Sequence, residues 1–407
     1  MAVDPAVARG EAEAALVAGA PERAVAILAA ALGYPAILDP AALAASLGVL
    51  ARAMVALGHT AIAEHAAQAS LAPGDADAYY QLGYELIEVE LTGLAATVLT
   101  RGLVLAPGEP AMVTELVSAL ERELAYADAR AVLEAHPDLI ERDCLCGYLT
   151  AWNAIMSGDV AAAEARVPRL VPTEPAHHVM IARLRGMLAR AAVVRSGGGL
   201  GPRDLRGWHY VTTGGLLLER SPYGLDQPMH GRYAYLNDAP ALVARGLDGL
   251  VGVLARWGLA PPCVFAAPGP GHAAIAAAAA ARLGVAVAPW PMVGAPAPGL
   301  VVAGDLAAVA PEAWEVLAPR RAGQCFYAHR GPWTQDGPVS PDVVGLLCQL
   351  ATPLAADAVV PPTAALDDFA RGEHTDAATL AAAIGPPDLG TRERWWAGGP
   401  VPSARFR

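Results

Sequence analysis

Two segments of this chain repeat each other at a spacing of 34 residues. Residues 61–75 read AIAEHAAQASLAPGD and residues 95–109 read AATVLTRGLVLAPGE. Each is an apolar stretch closed by Ala-Pro-Gly. Proline cannot continue a helix, so Pro73 and Pro107 end equivalent helices. One helix pair cannot bury its apolar stripe alone, so repeated pairs must stack into a continuous core. Weaker copies extend the pattern. Residues 11–32 give a helix, a Gly-Ala-Pro turn and a second helix from Glu22. Residues 42–57 pair with 60–71, 111–124 with 127–135, and 143–156 with 160–167. Residues 174–194 form a longer helix that can close the stack.

A period of 34 residues is that of the tetratricopeptide repeat. Tyr79, Leu82, Gly83, Leu86, Ala95, Leu99, Gly102 and Pro107 fall where that family has its large aromatic, Leu-Gly, Tyr, Ala, Phe, Ala and Pro. Leu86, Leu99 and Gly102 depart from the family's residue types, so the repeats resemble a divergent form. The small residues Gly83, Ala95 and Gly102 suit a close helix crossing. The resemblance implies an α-solenoid over residues 1–195 whose curved face binds a protein or peptide.

Charge narrows the partner. Residues 1–200 hold 23 acids and 13 arginines, a balance of −10 out of the chain's −12. Phosphate binding needs clustered positive charge, so nucleic acid is not expected on the helical half. A basic protein or peptide is, with Glu85, Glu88 and Glu90 as candidate contacts. All 28 basic residues are arginine, a bias that fits a GC-rich genome. The absence of lysine excludes a P-loop lysine, a kinase lysine and a pyridoxal phosphate Schiff base.

Alanine inflates the mean hydropathy of +0.36. The most apolar stretch, 263–290, is broken by Pro268, Pro270 and Pro289, so no membrane span is expected. Residues 1–10 carry no basic stretch followed by an apolar one, and five irregularly spaced cysteines suit reduced thiols. A cytoplasmic location is the expectation.

Ser196-Gly197-Gly198-Gly199-Leu200-Gly201-Pro202 reads as a linker. Beyond it the periodicity changes. Residues 208–212 and 216–219 read as short strands, joined in a hairpin across 213–215. Then come helix 239–257, strand 263–267, helix 272–283, strands 285–288 and 300–303, helix 311–317, strand 324–328, helix 341–350 and helix 376–384. Alternating strands and helices predict a doubly wound, mainly parallel α/β domain over residues 203–384, with an irregular tail at 385–407. The fold class expected is thus α + α/β. In the tail, Trp395-Trp396 is expected to pack onto the body.

Within this domain, residues 238–335 resemble the core of a type I phosphoribosyltransferase. The resemblance rests on strand 263–267, "LGVAVAPWP", "GLVVAGD" and "GQCFYAHRG" in that order. It implies that the loop after the first strand and the loop after "LVVA" bind phosphate groups. The first loop is Pro268-Gly269-Pro270-Gly271-His272. Gly269, Gly271 and Ala274 also satisfy G-x-G-x-x-A, without the acid expected about 20 residues on in a dinucleotide site. In the second loop the family's acid pair is represented by Asp305 alone. A third cluster, His329, Arg330 and Asp336, follows a strand end. His329 suits a general acid or base, Asp336 its partner, and Arg330 an anion clamp.

The expectation is therefore a scaffold or regulatory protein with a divergent, non-catalytic α/β module and neither cofactor nor metal. The alternative is an enzyme or sensor holding a small phosphorylated anion at Gly269, Gly271, His272, Asp305 and Arg330, with His329 and Asp336 as candidate catalytic residues.

Overall fold

The computed structural model of the chain describes residues 4–222, 229–352, 354, 359–361 and 376–402. It is an α + α/β protein, helical in its first part and built on a mainly parallel sheet in its second. Two compact units emerge: Met1–Ser157 with Ala161–His178, and Gly158–Val160 with Val179–Arg407.

The helical unit runs α1 (Pro5–Val17), α2 (Pro21–Leu32), α3 (Pro40–Leu57), α4 (Thr60–Leu71), α5 (Ala76–Glu88) and α6 (Thr92–Leu105). It continues with α7 (Pro110–Arg122), α8 (Tyr126–Glu134), α9 (Pro137–Arg142), α10 (Cys144–Met156) and α11 (Val160–Arg166), and α12 (Pro175–Ser196) follows. Local chemistry sets the starts. Proline occupies the first position of α1, α2, α3, α7 and α9, where its missing N–H costs nothing. The carboxylates of Asp39, Asp75 and Asp143 accept free N–H groups at the starts of α3, α5 and α10. Short turns bring each helix back on its predecessor: α1 on α2, α3 on α4, α5 on α6. Successive pairs pack in turn through α2 and α3, α4 and α5, and α6 and α7.

The 34-residue period is also written into the backbone. Glu90, Leu124 and Gly158 recur at that spacing with φ of 62°, 60° and 93°. Around the first two, equivalent bonds close the turn: Glu90 N–H to Ile87 O and Leu91 N–H to Leu86 O, then Leu124 N–H to Glu121 O and Ala125 N–H to Leu120 O. Two non-glycine residues thus share a left-handed conformation that packing must enforce. Gly83 and Gly102 lie at crossings: a Cβ on Gly83 would overlap Leu99, and one on Gly102 would meet the Met112 thioether at 2.7 Å. One apolar cluster runs from Ala12 to Cys146.

Among the described residues, α3 alone is long and apolar enough to cross a membrane, in place of the 263–290 stretch that the sequence singles out. Half of its apolar window is buried, with Leu43, Leu47, Leu50 and Met54 facing the core.

The second unit begins inside α12. The glycines after that helix cap it, since Gly197, Gly198 and Gly199 donate back to Val194 and Arg195 carbonyls. Then come α13 (Leu205–Thr213), β1 (Leu216–Leu217), β2 (Tyr233–Asn237), α14 (Pro240–Arg256), β3 (Cys263–Ala266), α15 (Ala273–Leu283), β4 (Ala286–Ala288) and β5 (Gly299–Asp305). They are followed by α16 (Glu312–Leu317), β6 (Pro319–Arg320), β7 (Gln324–Pro332), β8 (Val343–Thr352), α17 (Ala377–Ile384) and β9 (Gly390–Thr391). The sheet order is β1-β8-β7-β5-β3-β4, all parallel, with β2 pairing further along the same edge of β8 as β1.

Two expectations are overturned. Residues 208–212 lie in α13, because the Asp204 carboxylate caps that helix on Gly207 N–H and Gly214, at φ 72°, ends it. Leu216 and Leu217 consequently pair in parallel with β8 and form no hairpin. Residues 341–350 are not a helix. They enter β8, whose first six residues are buried in the sheet. A continuous apolar run satisfies helix and central strand alike, and here Val343 and Val344 favour the strand. The tail is ordered to residue 402: β9 pairs antiparallel with β6, and Trp395 is buried with its Nε1 donating to Pro332 O. Residues 403–407 lie outside the described residues.

Candidate functional site

The chain leaves β3, forms α15 and pairs β4 on one side of β3. It then returns to pair β5 on the other side. Sheets of this kind open a crevice beyond the carboxyl ends of such a strand pair. The loop after β3 carries Gly269, Gly271 and His272, and β5 ends on Asp305. Four of the residues singled out in the sequence therefore meet at one edge of the sheet.

Backbone contacts hold this loop against the residues that follow β5. Gly269, at φ +127°, is pressed so tightly on the Ala308 carbonyl that a Cβ would overlap it. Ala310 N–H donates to Pro268 O at 2.9 Å. His272 is buried; its Nδ1 accepts Gly304 N–H at 2.9 Å, and burial holds its imidazole below the usual range. The Asp305 carboxylate accepts Ala307 N–H at 3.0 Å and lies 3.3 Å from Arg330 Nη2.

From Arg330 a chain of polar groups runs inward. Arg330 Nη1 is 3.4 Å from Asp238 Oδ2, and His329 Nε2 is 3.1 Å from Asp238 Oδ1. The Tyr327 hydroxyl lies 3.4 Å from His329 Nδ1. This suits an imidazole donating from Nε2 and accepting at Nδ1. Asp238, His329 and Tyr327 are all buried, and burial raises the Tyr327 phenol. Gly246 of α14 sits against the Tyr327 hydroxyl and His329 Nδ1, which seals that face. His329 is 0% exposed, which leaves no route from solvent to its nitrogens.

Asp336 does not join this chain. It is exposed and accepts Ala397 N–H at 2.8 Å, tying down the tail. The carboxylate that holds His329 is Asp238, 91 residues earlier. It directly follows β2, a strand the sequence reading did not anticipate. The alternation in Tyr233-Ala-Tyr-Leu-Asn-Asp ahead of an amphipathic helix is the signal that could have found it. A second buried cluster was hidden by the expected helix at 341–350. Asp342 there takes Arg320 Nε at 2.8 Å, Arg392 Nη2 at 2.7 Å and Phe326 N–H at 2.9 Å. Burial alone would raise this carboxyl, but Arg392 and Arg320 outweigh it and hold it below the usual range.

On the helical unit, Glu85 is half-buried on α5, while Glu88 and Glu90 are exposed. Glu115 of α7 is raised by burial and by the charge of Glu88, with Arg122 opposing. Tyr80 feels the charges of Glu115, Asp77 and Glu109, and Tyr84 stands 44% exposed one turn on. Tyr80, Tyr84 and Glu88 of α5 thus share an acidic, aromatic face with Glu115 of α7. Among the described residues no cluster of metal-ligating side chains occurs, and all five cysteines are free thiols. No protein-family model matches the sequence, and a search of curated proteins finds none similar to it.

Proposed function

We propose that this chain is a scaffold or regulatory protein: a tetratricopeptide-like α-solenoid that binds a basic protein segment, joined to a doubly wound, phosphoribosyltransferase-like module without catalysis. The recurrence of the same left-handed turn at Glu90, Leu124 and Gly158 supports the repeat reading. The binding reading is carried by the α5–α7 face, where Glu88 lies near enough to the half-buried Glu115 for their charges to oppose, beside the exposed ring of Tyr84. A partner supplying guanidinium or ammonium groups would relieve that repulsion, and tyrosine rings favour such cations.

The non-catalytic reading draws on the carboxyl edge of the sheet. A general base needs access to a substrate proton, and an anion clamp needs free donors. Here His329 is enclosed, and Arg330, although its Nε and Nη1 make no hydrogen bond, is held within 3.4 Å of the Asp238 and Asp305 carboxylates, whose charge opposes a bound anion. A single acid, Asp305, is also a poor magnesium site, because metal-bound phosphates are usually shared by one or two carboxylates with waters. The chain should therefore hold arginine-rich peptides when immobilised at low salt and release them at high salt. Retention equal at both would remove the electrostatic basis of the reading, since exposed charges are screened beyond about 8 Å at physiological ionic strength.

A further inference from the structure

The opposite edge of the same sheet is built differently. Gly214 precedes β1, Arg320 precedes β7 and Asp342 precedes β8, so these residues mark the amino ends of the strands. There a cleft of about 380 Å³ opens, lined by Arg190, Tyr210, Trp257, Arg320, Ile384 and Pro386 among others. That is room for about a dozen waters, and it falls within the range of small-molecule sites. Its walls are mixed. Trp257 is a fixed apolar surface, because its Nε1 is bound to Ala381 O at 2.9 Å. Ile384 and Pro386 extend that surface.

Among the described residues two guanidinium groups line the cleft, Arg190 and Arg320. Arg190 shares the Glu393 carboxylate with Arg183, and Arg320 shares Asp342 with Arg392. Asp342 is saturated by Arg320, Arg392 and a backbone N–H. Glu393 takes Arg183 Nε at 2.9 Å, leaving Arg190 Nη2 at 3.7 Å from its other oxygen. Asp388, the other acid lining the cleft among the described residues, is exposed. Arg190 is oriented by its Nε donating to Val211 O at 2.8 Å. Its Nη2 is buried and makes no hydrogen bond. Burial depresses this guanidinium first, and the neighbouring charge of Arg320 adds to the effect. Buried guanidinium nitrogens without acceptors are costly, and an oriented arginine fork matches carboxylate and phosphate oxygens.

We propose that this cleft is a binding site for a small organic anion, with its carboxylate or phosphate on Arg190 and Arg320 and its apolar body against Trp257 and Ile384. Tyr210 lines the same cleft and brings a hydroxyl group to it. Two cations and a hydroxyl around an apolar slot select for one negative group on a compact hydrophobic body. Neither a polyanion nor a neutral ligand fits that set as well.

Calorimetry on the full chain with phenyl phosphate, benzoate, inorganic phosphate and phenol tests the site. Phenyl phosphate or benzoate should bind saturably, and phenol at least about tenfold more weakly. Arg190→Gln should weaken the anion about tenfold or more. Ala189→Trp, at an exposed position on the cleft wall, should block binding while leaving the melting temperature unchanged. That second variant decides the matter even if Arg190→Gln fails to fold. Heat that is absent for both organic anions would overturn the proposal. So would phenol bound as tightly as benzoate, or an affinity unchanged in Ala189→Trp.

Discussion

The two units treat charge in opposite ways. The helical unit carries most of the chain's net charge, yet the polar residues buried in it are Ser46, Thr92, Thr97, Thr150, Asn153 and His177, with no acid or arginine among them. The α/β unit is nearly neutral overall, yet Asp204, Arg206, Asp238, Arg330, Asp342 and Arg392 are all buried in it. Charge left in water is available to an outside partner and contributes little to the fold. Charge taken out of water must be paired inside, and its removal exposes the partner's desolvation cost. A dense polar cluster is therefore not by itself a sign of catalysis. His329 and Arg330 lie where an active site is expected, and both lie beside the buried Asp238 carboxylate. The acids of the helical unit, Glu88 and Glu90 among them, face solvent instead.

The contrast is broken most forcefully at Asp342. Asp342→Asn leaves Arg320 and Arg392 facing each other across a buried amide and should cost about 3–5 kcal/mol. Seven of the eight tryptophans lie in the α/β unit, so tryptophan fluorescence during denaturant unfolding reports it. A loss below about 1 kcal/mol would mean that the buried pairs are dispensable.

Acid sharpens the same contrast. Burial first, then the charge of Arg232, pushes the His209 imidazole down to about 3. A base depressed in the folded state binds protons more readily when unfolded. Stability is then fully present above about pH 6.5 and falls as pH drops toward 3. The loss is on the order of 2 kcal/mol by pH 5. His209→Gln should flatten that limb. An α/β unit equally stable at pH 7 and pH 5 would contradict the assignment.

In the helical unit the sensitive points are apolar. Ala95 is fully buried in α6, and Ala95→Leu should overpack it by about 1–3 kcal/mol, read as a lower melting temperature by circular dichroism. An unchanged melting temperature would place Ala95 away from a crossing.

These differences explain what the sequence reveals. In the helical unit the information is local. Prolines at first positions, capping aspartates and the 34-residue spacing of 61–75 and 95–109 are all readable along the chain, and most observed helices start and end within a few residues of the expected ones, though α1 starts six residues before Glu11 and α9 was not expected. In the α/β unit the decisive partners are far apart. Asp238 with His329, and Asp342 with Arg392, are joined only by strand order, which no periodicity reports. The run from Val343 suits two secondary structures, and reading it as helix hid both β8 and the Asp342 cluster. The loop glycines at 269 and 271 were legible because positive φ and a close approach leave a compositional mark. Where that loop rests, on the Ala308 carbonyl and the end of β5, is a matter of packing that the motif does not report. The amino-edge cleft left no motif, since the two arginines that line it, Arg190 of α12 and Arg320 of β6, are 130 residues apart.

The account's central claim is that the helical unit's solvated acids serve a partner and not the fold. Fluorescence anisotropy of a labelled arginine-rich peptide, titrated with the wild-type chain and with the triple variant Glu85→Gln, Glu88→Gln, Glu90→Gln, tests it most directly. At low salt the wild type should bind saturably. The triple variant should bind about tenfold or more weakly with an unchanged melting temperature. Equal affinity in both chains, or a triple variant that unfolds, would contradict the claim.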